Sequence, residues 1–223
     1  MHVSHSSING SPNVGLYGYA NAEFALIGET TSDSFEETVQ DILDVPTIRL
    51  TVAGTNLVGA FITGNKSRLL IPDMIQDHEK ERLLDLPVEI KTVHTNYTCL
   101  GNNILMNDDA AMVSPVFSDE EVEHVQSLTG LPTVQDSLAG IEAIGSLGVF
   151  NNALDRMVVT NEISEEDFQA VNDYFDVTGT TTSVNKGAAQ VRCGVICNEH
   201  GFIVGDATGG PETTTIDKGL GFV

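Results

Sequence analysis

Tryptophan is absent from this chain, aromatic residues make up 6 %, cysteine occurs three times, and lysine and arginine together number 10. Each shortage excludes something. Three cysteines cannot staple a secreted disulfide scaffold. Met1–Gly10 has neither the basic n-region nor the apolar h-region of a signal peptide, so the expected location is cytoplasmic. No stretch approaches the roughly 18 consecutive apolar residues that cross a membrane as a helix. The few cations never gather into a patch; Lys66 and Arg68 are the only close pair on a predicted inter-strand turn. Recognition of nucleic acid through a basic surface is therefore not expected.

Acid is what the chain has in excess. Aspartate and glutamate number 32, the net charge is −22, and the carboxylates are spread along the whole length of the chain. In molar salt the Debye length falls to about 3 Å, so such a surface hardly repels itself and stays hydrated. The composition is that of a protein adapted to a salt-filled cytoplasm. At 41 % hydrophobic, 223 residues can still bury a sizeable core.

A repeat organises the sequence. Asn13–Asn21 aligns without gaps on Leu57–Asn65, then on Cys99–Asn107 and Ala143–Asn151; Val191–Asn198 is a weaker fifth copy, with Arg192 where the others carry Gly15, Gly59, Gly101 and Gly145. In every copy an apolar, β-branched segment reads as a buried strand ending in asparagine: Asn21, Asn65, Asn107, Asn151 or Asn198. That residue tolerates the left-handed backbone of tight turns. A second short strand follows, at Phe24–Ile27, Arg68–Ile71, Ala110–Val113, Arg156–Val159 and Phe202–Val204. Capping-box patterns at Ser118…Glu121 and Ser164…Asp167, with a variant at Asp73…Gln76, then announce helices. Their buried faces are marked by Phe35, Val39 and Ile42, by Val122, Val125 and Leu128, and by Phe168, Val171 and Phe175. A third strand leads into the next copy.

The fifth copy lacks that third strand, and Met1–Gly10 supplies a spare one. Circular closure follows. The expectation is an α/β fold: a five-bladed ββαβ ring with pseudo-fivefold symmetry, closed by the N-terminal strand. It forms one domain, 1–223, with repeats at about 13–54, 55–97, 98–141, 142–188 and 189–223 plus 1–12. The residues after the repeat glycine, Leu16, Ala60, Asn102 and Ser146 with Cys193 matching, form a ring of equivalent positions, and one end of the ring reads as a rigid docking face.

Catalytic alternatives are thin. Rings of this type also serve guanidino-modifying enzymes, which need a nucleophilic cysteine, a histidine base and convergent carboxylates. Cys193, Cys197 and His200 are the only Cys/His cluster, and Cys193 and Cys197 read as two buried positions on one strand face. As a zinc site the trio lacks a fourth ligand nearby. His94 and His124 are isolated in the sequence. No phosphate-binding loop and no nucleophile elbow is present. Neither metal nor cofactor is expected.

Three stretches are more specific: VGAFITGNKSRLLIP at Val58–Pro72, LGNNILMNDDAAMVSP at Leu100–Pro115 and VNKGAAQVRCGVICN at Val184–Asn198. In order and spacing they resemble the archaeal and eukaryotic translation initiation factor 6 family, and with the charge they point to a halophilic archaeon. The resemblance spans essentially the whole chain. It implies a pentein fold and a monomeric, non-enzymatic factor that binds the large ribosomal subunit beside the sarcin–ricin loop. There it contacts a ribosomal protein and rRNA and blocks joining of the small subunit; a role in large-subunit maturation is also implied. The family pattern carries onto Gly15, Gly59, Asn65, Lys66, Gly101, Asn102 and Asn107 as ribosome-binding positions. Ala60 departs from the basic residue eukaryotic members carry there, which removes one cation for an RNA phosphate.

Salt should therefore hold the fold together. Dialysis from molar KCl to about 0.01 M lengthens screening to about 30 Å and lets distant carboxylates repel. The circular dichroism of the protein is expected to collapse; a spectrum unchanged by the dialysis would refute salt adaptation.

Overall fold

The computed structural model describes all residues, Met1–Val223. The five sequence copies become five units of the same plan. β1 (Val3–Ser6) precedes them. The first unit runs from a 3₁₀ turn, Val14–Leu16, through β2 (Gly18–Ala20), β3 (Ala25–Gly28) and α1 (Asp33–Leu43) to β4 (Thr47–Leu50). The second comprises α2 (Val58–Phe61), β5 (Thr63–Gly64), β6 (Arg68–Pro72), α3 (Asp77–Glu81) and β7 (Glu89–Val93). The third comprises α4 (Leu100–Asn103), β8 (Ile104–Met106), β9 (Ala111–Val113), α5 (Asp119–Thr129) and β10 (Thr133–Gln135). The fourth begins with a 3₁₀ turn, Ile144–Ser146, and continues through β11 (Gly148–Asn151), β12 (Arg156–Thr160), α6 (Glu165–Phe175) and β13 (Thr178–Thr182). The fifth has a 3₁₀ turn, Val191–Gly194, then β14 (Val195–Cys197), β15 (Phe202–Gly205) and α7 (Gly210–Gly219).

Each unit folds into its own three-stranded sheet, five in all. The first two strands pair antiparallel across the asparagine turn, and the third lies parallel to the second after a helical crossover, as β2, β3 and β4 show. In the fifth sheet the third strand is β1, parallel to β15 with Val3 opposite Phe202 and Ser6 opposite Gly205. The two ends of the chain thus meet in one sheet.

The apolar side chains fall into five clusters, each shared between neighbouring units. One joins Leu26 of the first unit to Leu69 and Ile71 of the second. Another joins Val14, Phe35 and Leu43 of the first unit to Ile196 and Ile203 of the fifth. No unit owns a complete core, so stacking on neighbours is what buries each sheet. The helices start and stop where their caps dictate. Ser32, Ser118 and Ser164 accept from the backbone N–H three residues on, and Asp44, Gly130 and Asp176 end the helices with φ of 50°, 67° and 50°.

Three expectations need correction. The first segment of each copy is not one strand: its glycine half is a helical turn and only its second half is extended. A Cβ on Gly59 would overlap the carbonyl oxygen of Gly15, and one on Gly101 that of Gly59. The chain coils there to bring backbone against backbone. The repeat asparagines are not left-handed either; the left-handed residues are those of other turns, such as Asn9, Ala53, Ala139 and Asn185. And α3 starts later than the Asp73…Gln76 pattern suggested, because the capping carboxylate is Glu79, which accepts from Gln76 N–H at 2.9 Å.

Glu79 also ties units together. Its side chain is 1 % exposed and accepts from the Thr51 hydroxyl (2.5 Å) and from the N–H groups of Ala53 and Gly54 (2.8 Å each). Glu212 repeats the device, accepting from Ser183 Oγ at 2.7 Å, Gly187 N–H at 2.9 Å and Gly209 N–H at 2.8 Å. For both, burial pushes the carboxyl pKa up, but these hydrogen bonds outweigh it and hold the group below its ordinary 4.5. A carboxylate held below its unfolded-chain pKa stabilises the fold fully above that value, and the contribution drains away as pH falls through the folded-state pKa. The melting temperature in constant molar salt is accordingly expected to drop as pH is lowered below about 4.5. Glu79→Gln should cost about 3 kcal/mol at pH 7, the range for charge-assisted hydrogen bonds, and should flatten the acid limb. Urea unfolding at pH 7 and pH 3.5 checks both; an acid limb as steep as in the unsubstituted protein would remove Glu79 from this role.

Candidate functional site

The strands β2, β5, β8, β11 and β14 have a helical turn at one end and an asparagine turn at the other, so the positions marked in the sequence are divided between two ends. Three residues of strand span about 10 Å. Gly15, Gly59, Gly101 and Asn102 lie in the helical turns. Asn65, Lys66 and Asn107 lie at the other end of their strands. The structure does not gather the seven residues into one place.

Most of them are framework. Gly15, Gly59 and Gly101 are buried where backbone meets backbone. Asn65 and Asn107 are 3 % and 4 % exposed. The Oδ1 of Asn65 accepts from the N–H groups of Ser67 and Arg68 (3.0 Å each), which holds its turn, while Nδ2 donates to the Asn107 carbonyl of the next unit at 3.2 Å. Asn107 accepts from Asp109 and Ala110 N–H and donates across to the Phe175 carbonyl at the end of α6. Asn198 does the same toward Leu43, at the end of α1. Asn65, Asn107 and Asn198 are thus locks between units, their amides engaged on both sides.

Two of the seven keep free chemistry. Lys66 is exposed, with Nζ 3.3 Å from Asp108 Oδ2 and its N–H donating to Asp108 Oδ1 at 3.0 Å. Asn102 is half-buried at the helical-turn end, and its N–H caps back on the Cys99 carbonyl. Its neighbour Asn103 spends its own amide on that same carbonyl (3.0 Å); Asn102 has no such side-chain bond. In the ring of equivalent positions Ala60 and Ser146 are buried, and the Ser146 hydroxyl is committed to the Ala143 carbonyl at 2.6 Å. Leu16 and Cys193 are half-buried. Asn102 alone offers an uncommitted amide there, and no position of this ring is charged.

The Cys/His cluster is not poised for catalysis. Cys193 sits in the 3₁₀ turn and Cys197 in β14, so they do not share a strand face as expected. Burial pushes both thiols up, Cys197 far above the ordinary value, and Cys197 Sγ lies 3.2 Å from the Asn198 carbonyl, to which it donates. His200 is paired with Glu199 at 3.6 Å. His94 and His124, apart in the sequence, stack with ring centroids 5.9 Å apart. No group of three His, Cys, Asp or Glu side chains is arranged to hold a metal ion. Sequence reasoning missed Arg192, whose side chain crosses to the second unit: Nη2 donates to the Ile62 carbonyl at 3.0 Å and Nη1 to Thr63 Oγ1 at 3.2 Å. The signal was present, since Arg192 breaks the glycine column.

Fold and site define a five-unit α/β repeat protein with an uncharged ring of turn residues and no activated nucleophile. The family model described as the eIF-6 family matches residues 3–219. Translation initiation factor 6 of Pyrococcus horikoshii is 32 % identical over 229 residues, covering 100 % of both chains. That of Haloquadratum walsbyi is 31 % identical over 220 residues, 98 % of this chain and 96 % of its own. That of Saccharolobus islandicus is 31 % identical over 226 residues, 99 % of this chain and 100 % of its own. This chain belongs to the eIF-6 family of translation initiation factors. No helix is long and apolar enough to cross a membrane.

The thiols give a check on the site. With all three held up by burial, none should react with Ellman's reagent at pH 8 at the rate of a free thiol until denaturant is added. Rapid native-state labelling of Cys193 would reopen the nucleophile reading.

Proposed function

We propose that this chain is a closed five-bladed pentein propeller, one domain over residues 1–223, that binds the large ribosomal subunit and prevents the small subunit from joining it. The observation that carries the reading is the full-length match to a family of initiation factors. The chemistry fits. Blocking an interface by occupancy requires tight binding and bulk, and it breaks no bond; the raised thiol pKa values of the only Cys/His cluster argue against the guanidino-modifying alternative. The fifth unit's use of β1 as its third strand supports closure. The chain works by binding, in the compartment where ribosomes are.

Docking uses the helical-turn end. In molar salt, contacts to phosphate are weakened by counterions, so short-range hydrogen bonds and shape fit carry the affinity, chiefly against a ribosomal protein surface. Asn102 supplies the hydrogen-bonding group at that end. Lys66 lies at the far end of its strand and is engaged with Asp108, so it stays outside the same contact. Gly15, Gly59, Gly101, Asn65 and Asn107 act by holding the ring in shape.

Asn102→Ala should weaken large-subunit binding by about 1–2 kcal/mol, the range for a lost buried polar partner, or about 5- to 30-fold. The melting temperature should hardly move. Sedimentation of purified subunits mixed with unsubstituted or substituted protein measures this. Equal inhibition of subunit joining at equal concentration would remove Asn102 from the interface, and absence of co-sedimentation by the unsubstituted protein would overturn the function.

A further inference from the structure

The strands β2, β5, β8, β11 and β14 surround an axial well of about 450 Å³. Arg192 lies at its deep end, level with the start of β5, because its acceptors are Ile62 and Thr63. Glu23, Lys66, Asp108 and Glu199, which follow the strand ends, stand at the mouth. The two acceptors of Arg192 are neutral, and the guanidinium has no carboxylate partner. The acids of the mouth are occupied or remote: Asp108 pairs with Lys66 at 3.3 Å and Glu199 with His200 at 3.6 Å.

A guanidinium does not lose its proton in a protein, so the deep end of the well holds a half-buried cation without a counter-charge. Taking an ion out of water costs several kcal/mol unless opposite charge or further hydrogen bonds compensate. Burial draws the Arg192 pKa down, the sign of that cost. Two more donors line the same well. Tyr19 is 8 % exposed, and burial, with the Asp108 carboxylate adding to it and against the pull of Arg192, holds its phenol above the ordinary 10, so it keeps its proton. The Nδ2 of Asn21 is buried with no partner. It is the one repeat asparagine whose neighbouring unit has a helix of five residues, α3, rather than ten or eleven. Leu105, Phe150 and Ile196 give the well an apolar wall, interspersed with polar residues such as Asn152 and Asn198.

We propose that the axial well is a binding site for a small organic carboxylate, its oxygens held by Arg192 and Tyr19 and its hydrocarbon part against the apolar wall. The cation calls for an anion, and charge-assisted hydrogen bonds from guanidinium to carboxylate are the strong kind. The volume far exceeds that of a single inorganic ion and falls within the range of small-molecule sites. The mouth of the well opens at the other end of the strands from Asn102, with Arg192 reaching the deep end from the fifth helical turn. Binding of a small carboxylate is measured without the ribosome, so its failure and a failure of ribosome binding are distinguishable.

The test is a titration of full-length protein in molar KCl with millimolar butyrate, phenylacetate or inorganic phosphate, followed by thermal melting and calorimetry. Molar chloride is present throughout as the competing anion. A saturable rise in melting temperature with the organic carboxylates and none with phosphate is expected. Arg192→Gln should abolish the response, and Tyr19→Phe should weaken the apparent affinity about tenfold, the effect of one lost hydrogen bond. No saturable response, an equal response to phosphate, or an equal response in Arg192→Gln overturns the proposal. If Arg192→Gln does not fold, Tyr19→Phe decides: a titration identical to that of the unsubstituted protein overturns it.

Discussion

The architecture depends on one steric constraint, the approach of peptide backbone to peptide backbone around the axis. At Gly15, Gly59, Gly101 and Gly145 the space a side chain would fill holds a carbonyl oxygen of the preceding unit, from Arg192, Gly15, Gly59 and Gly101 in turn. Only a residue without Cβ permits this. The five first strands can converge because these turns touch, and the sheets can then splay outward with shared apolar clusters between them. Arg192 is the single break in the pattern, and its long side chain crosses to Ile62 and Thr63 of the second unit.

Much of this was legible in the sequence, for a physical reason. Five copies of one pattern at near-constant spacing multiply a weak signal, so strands such as Arg68–Pro72 and Phe202–Gly205 fall within a residue of where the apolar runs put them. The partner for β1 followed from arithmetic on the repeats. What stayed hidden was conformational or nonlocal. A buried helical turn and a buried strand are equally apolar over four residues, so Val58–Phe61 carried no mark of coiling. Asparagine at a turn reads as a conformational choice; that Asn198 reaches the Leu43 carbonyl, 155 positions away, is visible only in three dimensions. The site was the least legible. Asn65 and Asn102 look alike in one dimension, and only packing separates a lock between units from a free amide.

The acids of the molecule and its ring of helical turns occupy different places. Acids crowd the first turns of the outer helices, Asp33 and Glu36, Asp119 to Glu121, Glu165 to Asp167, where they complement the helix dipole and face solvent. The ring of helical turns carries none. The contacts proposed for that ring are of the short-range kind that concentrated salt leaves alone.

The pairing of β1 with β15 gives the molecule a seam. Val3–Ser6 and Phe202–Gly205 are separated by four complete units, so β1 waits, unpaired, while those units are made. Four sheets can assemble in the order they emerge, but the fifth is a splice between residues far apart in the sequence. The stretches on either side of the seam stay close, with Phe222 stacked on His2, and a chain opened at another turn and joined across the seam would trace the same path through space from a different starting point.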